Sequence, residues 1–547
     1  MAVLTSLNHF VSLTRFPSSS SSSFFSSYAH RLFLSPSISS SSIRRFNLFS
    51  LKPSRSFAIM SSSTPHGADS PHQEKTTTAP YGSWKSPITA DIVSGASKRL
   101  GGTTVDSRGR LVWLESRPNE SGRGVLVMEG EKPGDEPIDI TPKEFAVRTL
   151  TQEYGGGAFR ISSDDDALVF SNYKDQRLYK QHITDKDSSP MPITPDYGAP
   201  AVTYADGVFD ARLNRYITVR EDGRQDRSNP ITAIVEVSLS GETLEEPKVL
   251  VSGNYFYAFP RLDPKGERLA WIEWSHPNML HFRKRIENTN EVVSVYPLDG
   301  EFAKPLWGFG TNCYEIIECS EEKNIIACSY RQKGRSYLGI LDDSQGSCSV
   351  LDIPLTDYDN IVTLDQQKMK ALSSEIVWSS SPDVLKYEAF FSVPELIEFP
   401  TEVPGQNAYA YYYPPTNPLY NASMEEKPSL LVKSHGGPTA ESRGSLNLNI
   451  QYWTSRGWAY VDVNYGGSTG YGREYRERLL RQWGIVDVDD CCGCAKHLVS
   501  SGKADVKRLC ISGGSAGGYT TLASLAFRDV FKAGASLYGV SNRTITY

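Results

Sequence analysis

From about Tyr81 to Ser392 apolar residues recur at every second position between polar turns, the period of strands with one buried face. One theme returns along this stretch: a polar turn carrying Asp or Gly, then an alternating apolar run. It stands at Asp106-Ser107-Arg108-Gly109-Arg110-Leu111-Val112-Trp113 and at Ser163-Asp164-Asp165-Asp166-Ala167-Leu168-Val169-Phe170. Weaker copies run from Asp210 to Ile217, Asp263 to Trp271 and Glu322 to Ala327. Successive copies lie roughly 45 to 60 residues apart, the length of a four-stranded propeller blade. A β-sandwich with ordinary hairpins would share the turns but not the regular spacing, so the pattern predicts an all-β propeller.

The style changes across Pro400 to Pro404 and Pro414 to Pro418. Beyond Leu430 strands and helices alternate. Leu430-Leu431-Val432, Ala459 to Val463, Leu509-Cys510-Ile511 and the run from Phe531 to Val540 read as buried strands. Ile450 to Arg456 reads as a helix end, and Asp487 to Val499 and Tyr519 to Phe527 as helices. Repeated β-α units imply a doubly wound, mostly parallel sheet. The expected organisation is a leader and disordered segment over 1–80, a propeller over 81–392 and an α/β domain over 393–547.

Composition adds two constraints. With 547 residues, 39% apolar content, 29 Tyr, 22 Phe and 9 Trp, the chain has material for two or three packed cores. The first sixty residues differ: serine runs at Ser18 to Ser23 and Ser39 to Ser42, with Arg15, Arg31, Arg44, Arg45, Lys52 and Arg55, and no acid before Asp69. Serine-rich, arginine-bearing and acid-free is the pattern of an organelle transit peptide, here closest to a plastid one; an uncleaved low-complexity tail is the alternative. Met60 offers an internal start that would give a cytosolic form. The whole chain carries −6, so the part beyond this segment carries −12. An acidic body argues against nucleic acid or an anionic membrane as partner, and no run of 18 apolar residues suggests a membrane span. The oligomeric state is not readable. Cys491, Cys492 and Cys494 cluster without a second group to complete a zinc site, so the eight cysteines read as buried thiols and no metal or cofactor is expected.

Candidate chemistry sits in three motifs. Gly513-Gly514-Ser515-Ala516-Gly517-Gly518 contains G-x-S-x-G between a strand and a helix, the nucleophile elbow of α/β-hydrolases. A glycine-rich turn in a Rossmann-like domain is the bland alternative. Ser515 is the candidate nucleophile; a serine hydroxyl needs a neighbouring imidazole to take its proton. His435-Gly436-Gly437-Pro438 follows a buried strand, where this fold places an oxyanion loop. The amides of Gly437 and Ala516 are the candidate donors to a tetrahedral oxyanion. His435, ahead of the nucleophile, is read as part of that loop rather than as the general base. Asn464 to Gly472 follows a strand and is too glycine-rich for a helix, so it reads as a wall of the site. Glu221-Asp222 is a weaker candidate for holding a substrate's amino terminus, against the plainer reading of a solvated turn.

Together these stretches, with Gln482-Trp483-Gly484-Ile485-Val486-Asp487-Val488-Asp489-Asp490, resemble the prolyl oligopeptidase family of serine peptidases over roughly Pro394 to Val540. Gly466 at its position resembles the acylaminoacyl-peptidase or dipeptidyl-aminopeptidase-like branch. The resemblance implies a propeller lid ahead of an α/β-hydrolase domain, and hydrolysis of short peptides through an acyl-enzyme on Ser515, with Gly437 and Ala516 as oxyanion donors. A carboxyl-ester hydrolase on the same fold is the alternative. The family's Asp and His follow the elbow, whereas the 32 residues after Ser515 hold only Asp529 and no histidine. The expectation is therefore an incomplete hydrolase domain, a C-terminally truncated chain that is inactive by itself. Met279 to Asn288, Asp357 to Met369 and Ser541 to Tyr547 also depart from the family's pattern.

Overall fold

The computed structural model describes the strand Phe10–Arg15 and most of residues 76–540; the larger stretches outside it are 16–75, 276–295 and 362–378, with 541–547. Apart from Phe10–Arg15, the serine-rich leader lies outside the described residues. So do Met279 to Asn288, most of Asp357 to Met369, and Ser541 to Tyr547. Phe10–Arg15 pairs antiparallel with Arg268–Trp274.

Among the described residues five antiparallel sheets succeed one another, the blades of a β-propeller. The first runs through Arg99–Val105, Leu111–Arg117, Arg123–Met128 and Ile138–Asp139. The second runs through Phe159–Ile161, Ala167–Ser171, Leu178–His182 and Met191–Pro192, and the third through Val202–Asp210, Arg215–Asp222, Ile231–Ser238 and Lys248–Ser252. The fourth contains Phe256–Leu262 and Arg268–Trp274, and the fifth Tyr314–Cys319, Asn324–Gln332, Arg335–Asp342 and Ser347–Val350. Every copy of the recurring theme is the turn between the first and second strands of a sheet. Asp106 shows why the residue type is needed: its Oδ1 accepts the amides of Arg108 and Arg110 at 3.0 and 2.7 Å, closing the turn from within. Gly109 supplies the positive φ of 79° that the same turn requires. Inner strands such as Ala167–Ser171 are buried along their whole length because sheets cover both of their faces. Val112, Leu126, Leu168 and Phe170 share one core; Val169, Leu178, Tyr204, Ala233 and Val235 share the next.

Among the described residues the C-terminal sheet has six strands in the order Glu395–Pro400, Asn407–Tyr413, Ala459–Asn464, Leu430–Ser434, Leu509–Gly514, Ala533–Leu537. The first two are antiparallel additions and the other four are parallel, so the chain winds outwards in both directions from Leu430–Ser434. This is an α/β-hydrolase sheet, with helices Leu448–Thr454, Val486–Ser500 and Ala516–Phe527 as crossovers. Leu430, Val432, Val461, Val463 and Ile511 are wholly buried in its core with Cys491, Cys494 and Leu498. The elbow helix begins at Ala516, three residues before the start that its apolar pattern predicts.

The chain visits this domain before it makes the propeller. Thr77–Thr78 pairs parallel with Tyr420–Asn421. Trp84 is buried, its ring stacked 6.4 Å from that of Tyr420. The hydroxyls of Ser86 and Ser455 meet at 2.7 Å, and Arg456 donates to the carbonyl of Ile88 at 2.9 Å.

Candidate active site

Ser515 stands between strand Leu509–Gly514 and helix Ala516–Phe527 with φ 54° and ψ −122°. A non-glycine residue in that region is strained by about 1–3 kcal/mol and persists only where packing fixes it. Two flanking glycines show the packing. A Cβ on Gly513 would lie 2.1 Å from the carbonyl oxygen of Gly517, and one on Gly517 would lie 2.2 Å from that of Ser434. The elbow helix thus presses directly on the neighbouring strand, and the turn bends too tightly for side chains. Ser515 is half-buried, and its hydroxyl has no hydrogen-bond partner among the described residues.

The loop after strand Leu430–Ser434 runs beside it. A methyl on Gly436 would stand 3.6 Å from Ser515 Cβ. Gly437 has φ 117°. Among the described residues neither the Gly437 amide nor the Ala516 amide donates a hydrogen bond, the latter as the first turn of a helix leaves it. The Gly436–Gly437 loop thus runs beside the Ser515 hydroxyl and the start of the elbow helix, and the Gly437 and Ala516 amides are both unengaged among the described residues.

Tyr465, from the glycine-rich loop, holds the Gly436–Gly437 loop from behind. Its hydroxyl lies 2.8 Å from the Pro438 carbonyl and 3.1 Å from that of His435, and its ring stacks 4.2 Å from the imidazole. His435 Nδ1 lies 2.8 Å from the Gly436 carbonyl and Nε2 2.7 Å from the Ser468 hydroxyl. Burial pushes the imidazole down to about 4, so it is neutral at pH 7. Thr469 ties the same two loops through its amide and hydroxyl, to Ala440 and Thr439 carbonyls at 3.0 and 2.7 Å.

The motif around Asp487 supports the elbow helix and the glycine-rich loop. Asp487 accepts from the Gly484 amide and from Thr520 in the elbow helix, both at 2.5 Å. Asp490 accepts from the Gly466 amide at 2.7 Å, and burial raises its carboxyl to about 6. Asp489 pairs with Arg528 at 2.8 Å. Sequence reading offered no role for these acids. The available signal was their spacing, since i and i+3 place Asp487 and Asp490 on one helix face.

Propeller residues reach the same loops. Glu301, almost wholly buried, accepts from the Gly470 amide and pairs with Arg476. Arg331 pairs with Glu441 at 2.5 Å, which Arg443 also holds at 2.9 Å. The Gly334 amide donates to Gly470, and Tyr411 donates to the Gly334 carbonyl at 2.6 Å. Glu221 and Asp222, by contrast, are engaged inside the propeller. Glu221 accepts the Gln152 amide at 3.0 Å and Asp222 pairs with Arg224 at 2.6 Å. His497 sits near the end of its helix, 6.2 Å from the Phe399 ring. Among the described residues no group of three or more His, Cys, Asp or Glu could hold a metal ion.

Known proteins share these features. Residues 444–547 match the Peptidase_S9 prolyl oligopeptidase family. Dipeptidyl aminopeptidase BIII of Pseudoxanthomonas mexicana is 34% identical over 114 residues, 21% of this chain and 16% of that protein. The acylamino-acid-releasing enzyme of Arabidopsis thaliana is 34% identical over 112 residues, 20% of this chain and 15% of that enzyme. Those alignments span less than a fifth of the relatives' length. The structural likeness is longer: a puromycin-hydrolysing peptidase of Mycobacterium tuberculosis superposes with a TM-score of 0.74 at 32% identity, over 86% of this chain and 81% of that one. A likeness at that identity over most of both chains, with the family match over residues 444–547, leaves one conclusion: this chain belongs to the prolyl oligopeptidase family.

Proposed function

We propose that the protein is a serine peptidase of short peptides, with Ser515 as its nucleophile. The carrying observation is the strained Ser515 backbone, which sets a hydroxyl without a partner among the described residues beside the Gly436–Gly437 loop and the first amide of the elbow helix. In this reading Ser515 Oγ attacks the scissile carbonyl carbon. The carbonyl oxygen takes the negative charge and accepts from the two amides, each worth about 3 kcal/mol in the transition state. The C–N bond then breaks, the amine leaves with a proton, and water releases the acyl group from Ser515. The proton passes through a general base that is not His435, whose ring nitrogens are already engaged. The relatives' names support short substrates: a dipeptidyl aminopeptidase, an acylamino-acid-releasing enzyme and a puromycin-hydrolysing peptidase.

The test is fluorophosphonate labelling of the full-length protein, with the labelled peptide mapped, beside parallel assays on peptide p-nitroanilides and on carboxyl esters. For a protein that carries the family's later Asp and His, label on Ser515 with p-nitroanilide turnover is the expected result. Turnover of esters alone would move the protein to the ester hydrolases, and label elsewhere would remove Ser515 from the mechanism. We further propose that the acid-free, serine-rich leader directs plastid import; import into isolated plastids without a loss of mass would sink that reading.

A further inference from the structure

We propose that His435 is a positioning residue that fixes the orientation of the Gly437 amide, held in place by Ser468 and Tyr465. The inference rests on the serine peptidase reading above and assigns a device within that site. A peptide unit is planar, and in the trans form its C=O and N–H point in opposite directions. The Gly436 carbonyl and the Gly437 amide belong to one such unit. Whatever holds the carbonyl therefore aims the amide. Gly436 and Gly437 carry no side chains that would hold this unit in place, and Gly437 adopts φ 117°.

His435 Nδ1 supplies the hold at 2.8 Å from the Gly436 oxygen. A carbonyl oxygen only accepts, so the proton is on Nδ1. In a neutral ring Nε2 is then an acceptor; the Ser468 hydroxyl faces it at 2.7 Å, its one proton shared between Nε2 and the Tyr465 carbonyl at 2.8 Å. Tyr465 completes the arrangement, since its ring stacks on the imidazole and its hydroxyl donates to the Pro438 carbonyl. The loop from Asn464 thus acts on the reacting centre without touching substrate. It orients a histidine, which orients a peptide plane, which orients one of the two donors.

The test compares His435→Ala, which removes the Nδ1 donor, with His435→Asn, whose amide nitrogen stands near the Nδ1 position. Two readouts are needed. In crystal structures of the full-length variants, the Gly436–Gly437 peptide should turn away in His435→Ala and keep its direction in His435→Asn. In kinetics on a peptide p-nitroanilide, His435→Ala should lose at least about tenfold in kcat with KM within about twofold. Complete removal of an oxyanion donor costs about 100- to 1,000-fold. His435→Asn should recover most of that loss, and affinity for a peptide aldehyde should fall in parallel with kcat. The proposal is overturned if His435→Ala keeps the native peptide direction, or if its kcat stays within twofold of wild type. A wild-type protein without turnover would sink the peptidase reading alone, because the crystallographic comparison still decides this one.

Discussion

At the residue scale, Ser515 was legible because its cause is local. Gly513 and Gly517 are dictated by contacts under 2.5 Å that any Cβ would make, so the motif is a steric signature as much as a chemical one. His435 was only half legible. Its place beside Gly436 and Gly437 shows in the sequence, but its partners Tyr465 and Ser468 lie 30 and 33 residues away and meet it only in the fold. Burial of His435 also sets a pH dependence. The folded ring takes a proton only near pH 4, whereas the unfolded chain takes one near pH 6.5. The contribution of this residue is therefore intact above about pH 6.5 and is lost as pH falls towards 4. At about 1.4 kcal/mol per pH unit, the loss is on the order of 3 kcal/mol. Urea titrations at pH 7 and pH 4.5 should show a smaller drop in stability for His435→Asn than for wild type; equal drops would refute the assignment.

At the scale of elements, the blades were the most legible part of the molecule. Each of the five recurring runs leads into the second strand of a sheet, because a polar turn followed by an alternating apolar run leaves its mark in a few consecutive residues. The acids of helix Val486–Ser500 were not legible as supports. Nothing local distinguishes an inward carboxylate at a helix start from one that favours the helix dipole there. Asp490→Ala should leave the Gly466 amide buried without a partner, at a cost of about 1–3 kcal/mol. Asp490→Asn keeps an acceptor and removes the burden of burying a charge, so it should be close to neutral. Chemical denaturation of the two variants side by side separates these outcomes, and equal losses would mean that the amide contact is not what Asp490 contributes.

For the whole molecule, the contacts between propeller and hydrolase sheet were illegible, since Glu301 and Arg331 are far in sequence from the loops they hold. Their charges are buried, and a buried pair is costly to break from one side. Arg331→Met should destabilise the protein by about 3 kcal/mol, a little less if Arg443 takes over Glu441. The effect should persist in high salt, which weakens exposed pairs but screens buried ones much less. Thermal unfolding at low and high ionic strength measures both, and a loss that vanishes with salt would place the pair at the surface.

Thr78 and Asn421 bond across 343 positions of sequence. A ribosome must therefore make the entire propeller before the strip containing Trp84 can find its seat. Until then a tryptophan and an isoleucine that end up sealed stay open to water, and so does the groove that waits for them. Chaperone dependence should concentrate in that interval, and a polypeptide started at residue 393 would be born with the groove empty, sticky and without its natural cover.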